Sequence, residues 1–177
     1  MINGAAGGVG TFAVQIAKCF GADVTGVCSS RNVEMVRSIG ADQVIDYTQQ
    51  DFTKSGQRYD LFLDNVGNHS LSACRRVLNP QGIYVMVGAP GGRWFGPMFG
   101  PLPRMVAALV LSRFVAQKLV LVLTQRSKED LTMVRDFMAD GKVTPVIDKR
   151  YGLSEVPEAI RYLEAGHARG KVVISVE

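Results

Sequence analysis

A glycine-rich turn close to the first residue constrains the fold of this chain more than any other feature. Residues 4–10 read Gly-Ala-Ala-Gly-Gly-Val-Gly and follow a short apolar segment that is predicted to be a strand. The residues after the turn repeat apolar side chains with the spacing of one helical face, at Val9, Phe12, Ala13, Ile16, Ala17 and Phe20. Gly21 is expected to end that helix, and residues 23–28 are expected to form a second strand. The chain therefore begins with a predicted βαβ unit.

The turn also has the pattern of a dinucleotide-binding site. In the fingerprint G-x-G-x-x-G, the first glycine permits a tight turn, the second lets the backbone approach the pyrophosphate, and the third lets the helix pack closely on the strand. Gly7 and Gly10 occupy the second and third positions, and Ala5 occupies the first. The N–H groups at the helix N-terminus would then face the pyrophosphate. A glycine-rich turn that binds no ligand is the alternative interpretation.

The residues after the second predicted strand indicate which dinucleotide is bound. Sites that prefer NAD carry Asp or Glu about 20 residues after the glycines, where the carboxylate binds the ribose 2′-hydroxyl. The corresponding stretch here, residues 28–32, has no carboxylate. The hydroxyls of Ser29 and Ser30 and the guanidinium of Arg31 could instead bind a 2′-phosphate, which favours NADP(H) as the cofactor. Alternatively, Ser30 or Asn32 caps the next helix, and the two roles are compatible.

The following segments alternate between strand and helix patterns. Strands are predicted at residues 42–47, 59–64, 83–87 and 119–123, with helices marked by Val33, Val36 and Ile39, by Leu71, Cys74, Val77 and Leu78, and by residues 104–115. A turn is expected at residues 79–82, and a Gly/Pro-rich loop at residues 91–104 is either a pocket rim or packed on its own side chains. This alternation predicts an α/β fold, a Rossmann-type doubly wound parallel sheet, with ligands at the carboxyl ends of its strands.

The last third of the chain has a different character. Ser127 is expected to begin a helix that ends at Gly141 and directs four side chains inward, namely Leu131, Val134, Phe137 and Met138. Residues 143–147 predict an edge strand, and Lys171 begins a terminal strand that continues to Val176. Between these strands, Ser154 is expected to cap a helix whose apolar residues are Val156, Ala159, Ile160 and Leu163.

Composition and charge exclude several classes of function. The net charge is +4 and the pI about 9.1, but the basic residues are scattered and form no nucleic-acid-binding patch. The most apolar stretch, residues 105–123, is interrupted by polar and charged residues, which argues against a membrane span. No signal peptide is seen, and Cys19, Cys28 and Cys74 show neither metal-ligand nor disulfide spacing. We therefore expect a reduced, cytoplasmic protein without a metal site of its own.

At this point the chain resembles the medium-chain dehydrogenase/reductase superfamily, and most of all its zinc-independent, quinone oxidoreductase-like branch. The resemblance extends over the whole chain in five segments whose order and spacing match the superfamily, at residues 5–10, 40–47, 59–67, 141–148 and 166–173. Alanine in place of the first glycine is common in that branch. The resemblance implies NADPH-dependent reduction of quinones, enones or carbonyl compounds, with a small molecule as substrate and a nicotinamide cofactor that supplies the hydride.

The resemblance also assigns roles to individual residues. The pyrophosphate would lie against the turn residues Ala6, Gly7, Gly8, Val9 and Gly10, near Lys171. The adenosine and the 2′-phosphate would be surrounded by Ser29, Ser30, Arg31 and Tyr47, and the nicotinamide by Asn65, Gly67, Gly88, Ala89 and Pro90. No catalytic residue is identified, because His69, His167, Asp60 and Asp64 are all interpreted as structural.

The superfamily's organisation implies two parts in this chain. Residues 1–125 would form the cofactor-binding domain with a shortened first strand, and residues 126–177 would return to a GroES-like catalytic domain that is mostly missing. Any zinc ligands would lie in that missing domain, and the isolated chain is expected to be a fragment that self-associates. The apolar strand at residues 119–123 would pair with a second subunit.

Three alternatives to an NADPH-dependent reductase remain open from the sequence. The first is a non-catalytic dinucleotide-binding fragment, and the second is a zinc-dependent alcohol dehydrogenase with its metal ligands upstream. The third is a Rossmann-like methyltransferase, which residues 29–31 disfavour because they supply no acidic residue after the second strand.

Overall fold

The computed structural model describes residues 1–87, 116–122, 126–166 and 168–176. The loop predicted at residues 91–104, the helix predicted at 104–115, Leu123 and His167 lie outside these ranges, as do the predicted site residues Gly88, Ala89 and Pro90. The predicted domain boundary at 125 also falls there and stays a prediction.

Within the described ranges, the strands form one six-stranded and one two-stranded sheet, and all pairings are parallel. The larger sheet comprises β1 (Ile2–Asn3), β2 (Thr25–Cys28), β3 (Gln43–Asp46), β4 (Tyr59–Asp64), β5 (Leu78–Val87) and β6 (Lys118–Val122). The strand order is β3-β2-β1-β4-β5-β6, with β1 in the centre. This order confirms the predicted doubly wound α/β fold.

Helices connect the strands and flank the small sheet. The helices of the first part are α1 (Gly10–Cys19), α2 (Val33–Ser38) and α3 (Leu71–Arg76). The C-terminal part contains α4 (Lys128–Ala139), β7 (Ile147–Gly152), α5 (Val156–Glu164) and β8 (Lys171–Ser175). None of the helices in the described part of the chain combines the length and the apolar character that crossing a bilayer requires.

Two buried apolar clusters pack on the large sheet. The first centres on Phe52, Phe62 and Tyr84, whose rings meet edge to face at centroid distances of 5.7 and 5.2 Å. The second includes Val14 of α1 and Val36 of α2, both fully buried. The side chains of the βαβ unit therefore fix the positions of β1 and β2, and with them the strand ends at which a ligand can bind.

Two predicted strand boundaries are wrong. β5 begins at Leu78, within the predicted helix, and runs through the predicted turn at 79–82, because fully buried Leu78 pairs with Tyr59 at an irregularity in the strand register. The predicted edge strand at 143–147 is shifted, since β7 spans Ile147–Gly152. Pro145 has no N–H to donate, so the ladder forms after it, and Val143 is buried in the preceding turn.

The apolar face predicted for α1 is only partly buried: Ala13 and Ala17 pack against the second apolar cluster, but the buried residues of the helix are others. The residues that α1 buries are Gly10, Thr11, Val14 and Gln15, while Val9 and Phe20 are 51% and 66% exposed. The predicted face omits Gln15 because it was chosen from apolar side chains, and the sequence does not show that this polar amide has buried hydrogen-bond partners. Its side chain donates to Thr144 O at 3.0 Å and accepts from Thr144 N at 2.8 Å, joining α1 to the C-terminal part.

The C-terminal helices bury little, which for α4 is contrary to the prediction of an inward face. Leu131 of α4 is 71% exposed and Met138 41%, and α4 has no buried residue. In α5, Ile160 and Leu163 are each half exposed. Periodicity identifies an apolar face without showing that another element covers it.

The two predicted caps of these helices have different outcomes. The Ser127 hydroxyl accepts from Asp130 N at 3.0 Å, so this cap is confirmed. Ser154 does not cap α5, because it lies inside a 3₁₀ turn where the Glu155 carboxylate instead accepts from Gly152 N at 2.7 Å.

Candidate functional site

A cleft of about 870 Å³ lies at the carboxyl ends of β1, β2 and β4. The structure brings ten predicted site residues together on its walls: Ala6, Gly7, Gly8, Val9, Gly10, Ser29, Ser30, Arg31, Tyr47 and Asn65. Gly67 and Lys171 lie beside these walls. A cleft of this size, at the ends of parallel strands around a glycine turn, can hold an elongated ligand.

The glycine turn between β1 and α1 is held by its own backbone. Ala5 N donates to Val27 O at 3.0 Å, and Gly7 N donates to Gly4 O at 3.1 Å. A Cβ on Gly10 would lie 2.1 Å from Gly4 O, so only glycine lets α1 approach β1 this closely. As a result, the N-terminus of α1, with the partial positive charge of its N–H groups, faces the cleft.

Lys171 from β8 lies over this turn. Its Nζ is 3.2 Å from the position that a Cβ on Gly8 would occupy, and 5.5 Å from the centre of the Phe12 ring. Gly170 N donates to Ala6 O at 2.9 Å, which ties the start of β8 to the turn. The C-terminal part therefore adds a positive charge to the site that already has the helix N-terminus.

At the end of β2, the polar side chains bond to one another rather than to a helix. Ser30 Oγ and Thr48 Oγ1 are 2.8 Å apart, and Asn32 Nδ2 donates to Ser29 Oγ at 3.1 Å. The alternative in which Ser30 or Asn32 caps α2 is wrong, because the N-cap position, Asn32, makes no side-chain capping bond. The buried Asn32 Oδ1 has no hydrogen-bond partner among the described residues.

A carboxylate that the sequence interpretation missed lies beside this group. Asp46 ends β3, and its Oδ1 accepts from Thr48 N at 2.9 Å and from Thr48 Oγ1 at 2.7 Å. Hydrogen bonds from Ser30 and then Thr48 hold the pKa of Asp46 below its usual value, so it is ionised at neutral pH. Its charge, after the larger effect of burial, raises the pKa of the Cys28 thiol to about 11. Because β3 pairs with β2, the end of β3 lies beside the end of β2, and this strand order could have predicted that Asp46 lies near Ser30.

The opposite end of the cleft is organised by Asp64, which is only 2% exposed. Its Oδ1 accepts from Asn3 Nδ2 and Gly67 N, both at 2.9 Å, and its Oδ2 accepts from the Tyr84 hydroxyl at 2.6 Å. Burial, and next the Asp64 charge, raise the pKa of Tyr84, which therefore keeps its proton and donates it. Asn65 Nδ2 donates to Asn3 O at 3.0 Å, while its buried Oδ1 has no partner among the described residues.

Sequence reasoning missed several residues that line the cleft. These are Asn3, Gly4, Cys28, Asn32, Thr48, Val66, Asn68, Gly166 and Ala168. Most of them are chain neighbours of predicted site residues at strand ends. Gly166 and Ala168 differ, because only the folded C-terminal part brings them to the glycine turn.

Within the described ranges, no three His, Cys, Asp or Glu side chains are grouped closely enough to hold a metal ion. His69 packs edge to face on the Phe52 ring, with centroids 4.7 Å apart. The groups that line the cleft are backbone N–H groups, hydroxyls, amides and the Arg31 guanidinium, a set suited to a phosphate-containing ligand.

Comparison with known proteins gives consistent likenesses. A family model described as zinc-binding dehydrogenase matches residues 39–174. A mitochondrial NAD(P)H oxidoreductase of Mus musculus is 37% identical, with 99% of this chain and 47% of that protein covered. A trans-enoyl reductase of Aspergillus terreus is 32% identical, with 99% and 51% covered. The chain thus spans about half the length of these curated relatives.

A solved structure shows the same architecture. The quinone oxidoreductase from Coxiella burnetii superposes with a TM-score of 0.81 and 28% sequence identity. The alignment covers 99% of this chain and 52% of that one. The likeness therefore includes the small C-terminal sheet as well as the large one.

Proposed function

The chain belongs to the zinc-binding dehydrogenase family of the medium-chain dehydrogenase/reductase superfamily, and from this membership we propose that its cleft binds NADPH for hydride transfer to a small organic acceptor. The observation that carries the proposal is the arrangement of Gly8, Gly10 and Lys171. A glycine turn and a helix N-terminus line one cleft, and an ammonium group lies beside its wall at Gly8. Such a site recognises the pyrophosphate of a dinucleotide.

The residues present fit this cofactor at three points. Gly7, Gly8, Val9 and Gly10 leave the backbone accessible where the pyrophosphate would lie, with Ala6 behind them. At the proposed nicotinamide end, the buried Asn65 Oδ1 is an acceptor without a donor among the described residues. A ribose hydroxyl or a carboxamide N–H of the cofactor supplies such a donor, and Gly67 shapes the adjacent turn through its bond to Asp64.

The adenosine end supports NADPH over NADH. Ser29, Ser30 and Arg31 offer two hydroxyls and a guanidinium to a 2′-phosphate, and Tyr47 offers a ring to the adenine. The Asp46 charge opposes a 2′-phosphate, so the preference is set by the balance between Arg31 and Asp46. We propose that Arg31 prevails, because Arg31 lines the cleft whereas Asp46 is not among its lining residues.

The bound cofactor would supply the hydride, while the protein orients it and excludes water. Quinones, enones and carbonyl compounds are the proposed acceptors, in line with relatives named as quinone oxidoreductase and trans-enoyl reductase. Since the chain matches about half of each relative, we assign turnover to a protein of the relatives' full length. A non-catalytic dinucleotide-binding module remains the alternative for the 177 residues themselves.

We also propose a homodimer in which β6 pairs across subunits, since β6 is the edge strand of the large sheet and Val120 and Val122 are about 40% exposed. The proposed compartment is the cytoplasm, consistent with three free cysteines. Because the mouse relative is named mitochondrial, fractionation of expressing cells tests this compartment directly.

The test of the proposed function is a fluorescence titration of the 177-residue chain with NADPH and NADH, with quinone and enone reduction followed in the same samples. NADPH binding with turnover supports a reductase. Binding without turnover supports the dinucleotide-binding module and sends the search for activity to a longer protein. Failure to bind either nucleotide contradicts the proposal.

A further inference from the structure

We propose that Asp148, far from the glycine turn in sequence, is a positioning residue for the cofactor: it fixes the turn at residues 169–171 so that the Lys171 ammonium stays over Gly8. This inference rests on the proposed role of Lys171 in binding the dinucleotide.

The Asp148 carboxylate is a buried acceptor with several donors. Its side chain is 4% exposed, and its Oδ2 accepts from the Tyr162 hydroxyl at 2.5 Å and from Arg169 N at 2.9 Å. Its Oδ1 accepts from Arg169 Nε at 3.3 Å. Burial alone would raise the pKa of Asp148, but the bonds from Tyr162 and Arg169 outweigh burial and lower it. The carboxylate is therefore charged at neutral pH and holds both the backbone and the side chain of Arg169.

The residue after Arg169 transmits this constraint to the cleft. Gly170 has φ +71°, and a Cβ there would lie 2.3 Å from Val146 O. Gly170 N donates to Ala6 O at 2.9 Å, and Lys171 N donates to Val146 O at 2.8 Å. The backbone at Gly170 is thus held between Val146 on one side and the glycine turn on the other. Asp148 in turn holds the preceding residue, Arg169.

Electrostatics explain why Lys171 needs such a constraint. Its ammonium lies next to Gly8, close to the N-terminus of α1, where the helix dipole is positive and disfavours a cation. Without a bound anion, a flexible lysine would turn towards solvent. A fixed backbone at Gly170 and the Phe12 ring, 5.5 Å from Nζ, keep it near the pyrophosphate position.

A double-mutant cycle on NADPH affinity tests this proposal. The variants are D148N, K171A and D148N/K171A, titrated by fluorescence at low and moderate salt. We expect K171A to weaken NADPH binding about fivefold. We expect D148N to weaken it by a similar factor and the double variant to bind no more weakly than K171A alone, because both changes remove one contact. D140N is the matched control, since Asp140 also pairs with a nearby cation, Lys142, but at an exposed site.

Y162F provides a second route if D148N does not fold. It removes one donor to Asp148 while keeping the ring on which Lys149 Nζ lies, 4.0 Å from the centroid. Y162F should weaken NADPH binding in the presence of Lys171 and have no further effect in K171A. If K171A weakens NADPH binding and adding D148N or Y162F to K171A weakens it further by the same factor as in the wild type, Asp148 is merely structural and the positioning proposal is overturned. If K171A leaves NADPH affinity unchanged, Lys171 does not contact the dinucleotide and the positioning proposal is overturned, whereas the proposed function is contradicted only if the wild type itself binds neither NADPH nor NADH.

Discussion

The Tyr84 hydroxyl donates to Asp64 Oδ2 at 2.6 Å, linking β5 to β4 beneath the proposed nicotinamide end of the cleft. Because both side chains are buried, removing the hydroxyl leaves one carboxylate oxygen with fewer donors. Y84F should therefore lower the free energy of unfolding by about 1–2 kcal/mol, measured by urea denaturation.

Y59F is the matched control for this change. The Tyr59 hydroxyl donates to Gln57 Oε1 at 2.8 Å and also bonds with Thr25, on a half-buried side chain, so its loss should cost less than loss of the Tyr84 hydroxyl, about 0.5–1 kcal/mol. Equal effects of Y84F and Y59F would show that the Asp64 bond contributes no more than the bonds of Tyr59.

The Asp46 carboxylate should determine how strongly the site discriminates between the two nucleotides. D46N removes a negative charge beside Ser30 and Thr48, so NADPH should bind about threefold more tightly relative to NADH. D51N is a suitable control, because Asp51 accepts from Thr53 N and Thr53 Oγ1 as Asp46 does from Thr48, but Thr53 does not line the cleft whereas Thr48 does. The ratio of the two dissociation constants is the readout. If D46N instead binds NADPH more weakly relative to NADH, Asp46 organises the hydroxyls of the phosphate site and does not repel the 2′-phosphate.

The buried Cys28 thiol should make stability depend on pH in the alkaline range. Burial raises its pKa from 9.0 to about 11 in the folded chain. Between these values the unfolded state releases the proton while the folded state retains it, so stability falls as pH rises from 9 to 11, by up to about 2–3 kcal/mol. Below pH 9 the thiol is protonated in both states and contributes no slope.

C28A isolates this contribution, because other groups that titrate at alkaline pH are common to both proteins. Urea midpoints of the wild type and C28A, measured between pH 8 and 11, should converge as pH rises. Parallel curves over this range would contradict the raised pKa.

The exposed edge of β6 should determine the oligomeric state. V120K places a charge on the edge strand of the sheet, at a side chain that is already 40% exposed, and should convert a dimer into a monomer without unfolding it. Sedimentation velocity measures this change, and V176K is the control because Val176 is 74% exposed beyond β8. A monomeric wild type would contradict the proposed dimer. A V120K variant that still dimerises would show that the interface does not include β6.

The large sheet could be predicted from the sequence because its signals are local. The glycine turn, the helical spacing after it and the apolar strands each depend on neighbouring residues, and the fold class followed from their order. Cleft residues such as Ser29, Tyr47 and Asn65 were predicted because each lies at or just after the carboxyl end of a strand.

The features that the sequence did not reveal depend on contacts between distant segments. The predicted apolar face of the first helix did not include Gln15, although its amide bonds to Thr144. Asp46 belongs to a different strand from Ser30, and only the pairing of β2 with β3 brings them together. Likewise, the bonds of Asp148 to Tyr162 and Arg169 join three separate elements, for which periodicity gives no signal.

The most direct test of the account is the dissociation constant of NADPH and of NADH for the wild type and for R31A, measured by fluorescence titration in the same buffer. Arg31 lines the cleft at the proposed 2′-phosphate end. If Arg31 binds the 2′-phosphate of NADPH, the wild type prefers NADPH. R31A should then weaken NADPH binding about tenfold and leave the dissociation constant of NADH unchanged. Equal affinities of the wild type for both nucleotides, or an equal loss of both in R31A, would contradict the assignment of this cleft to NADPH.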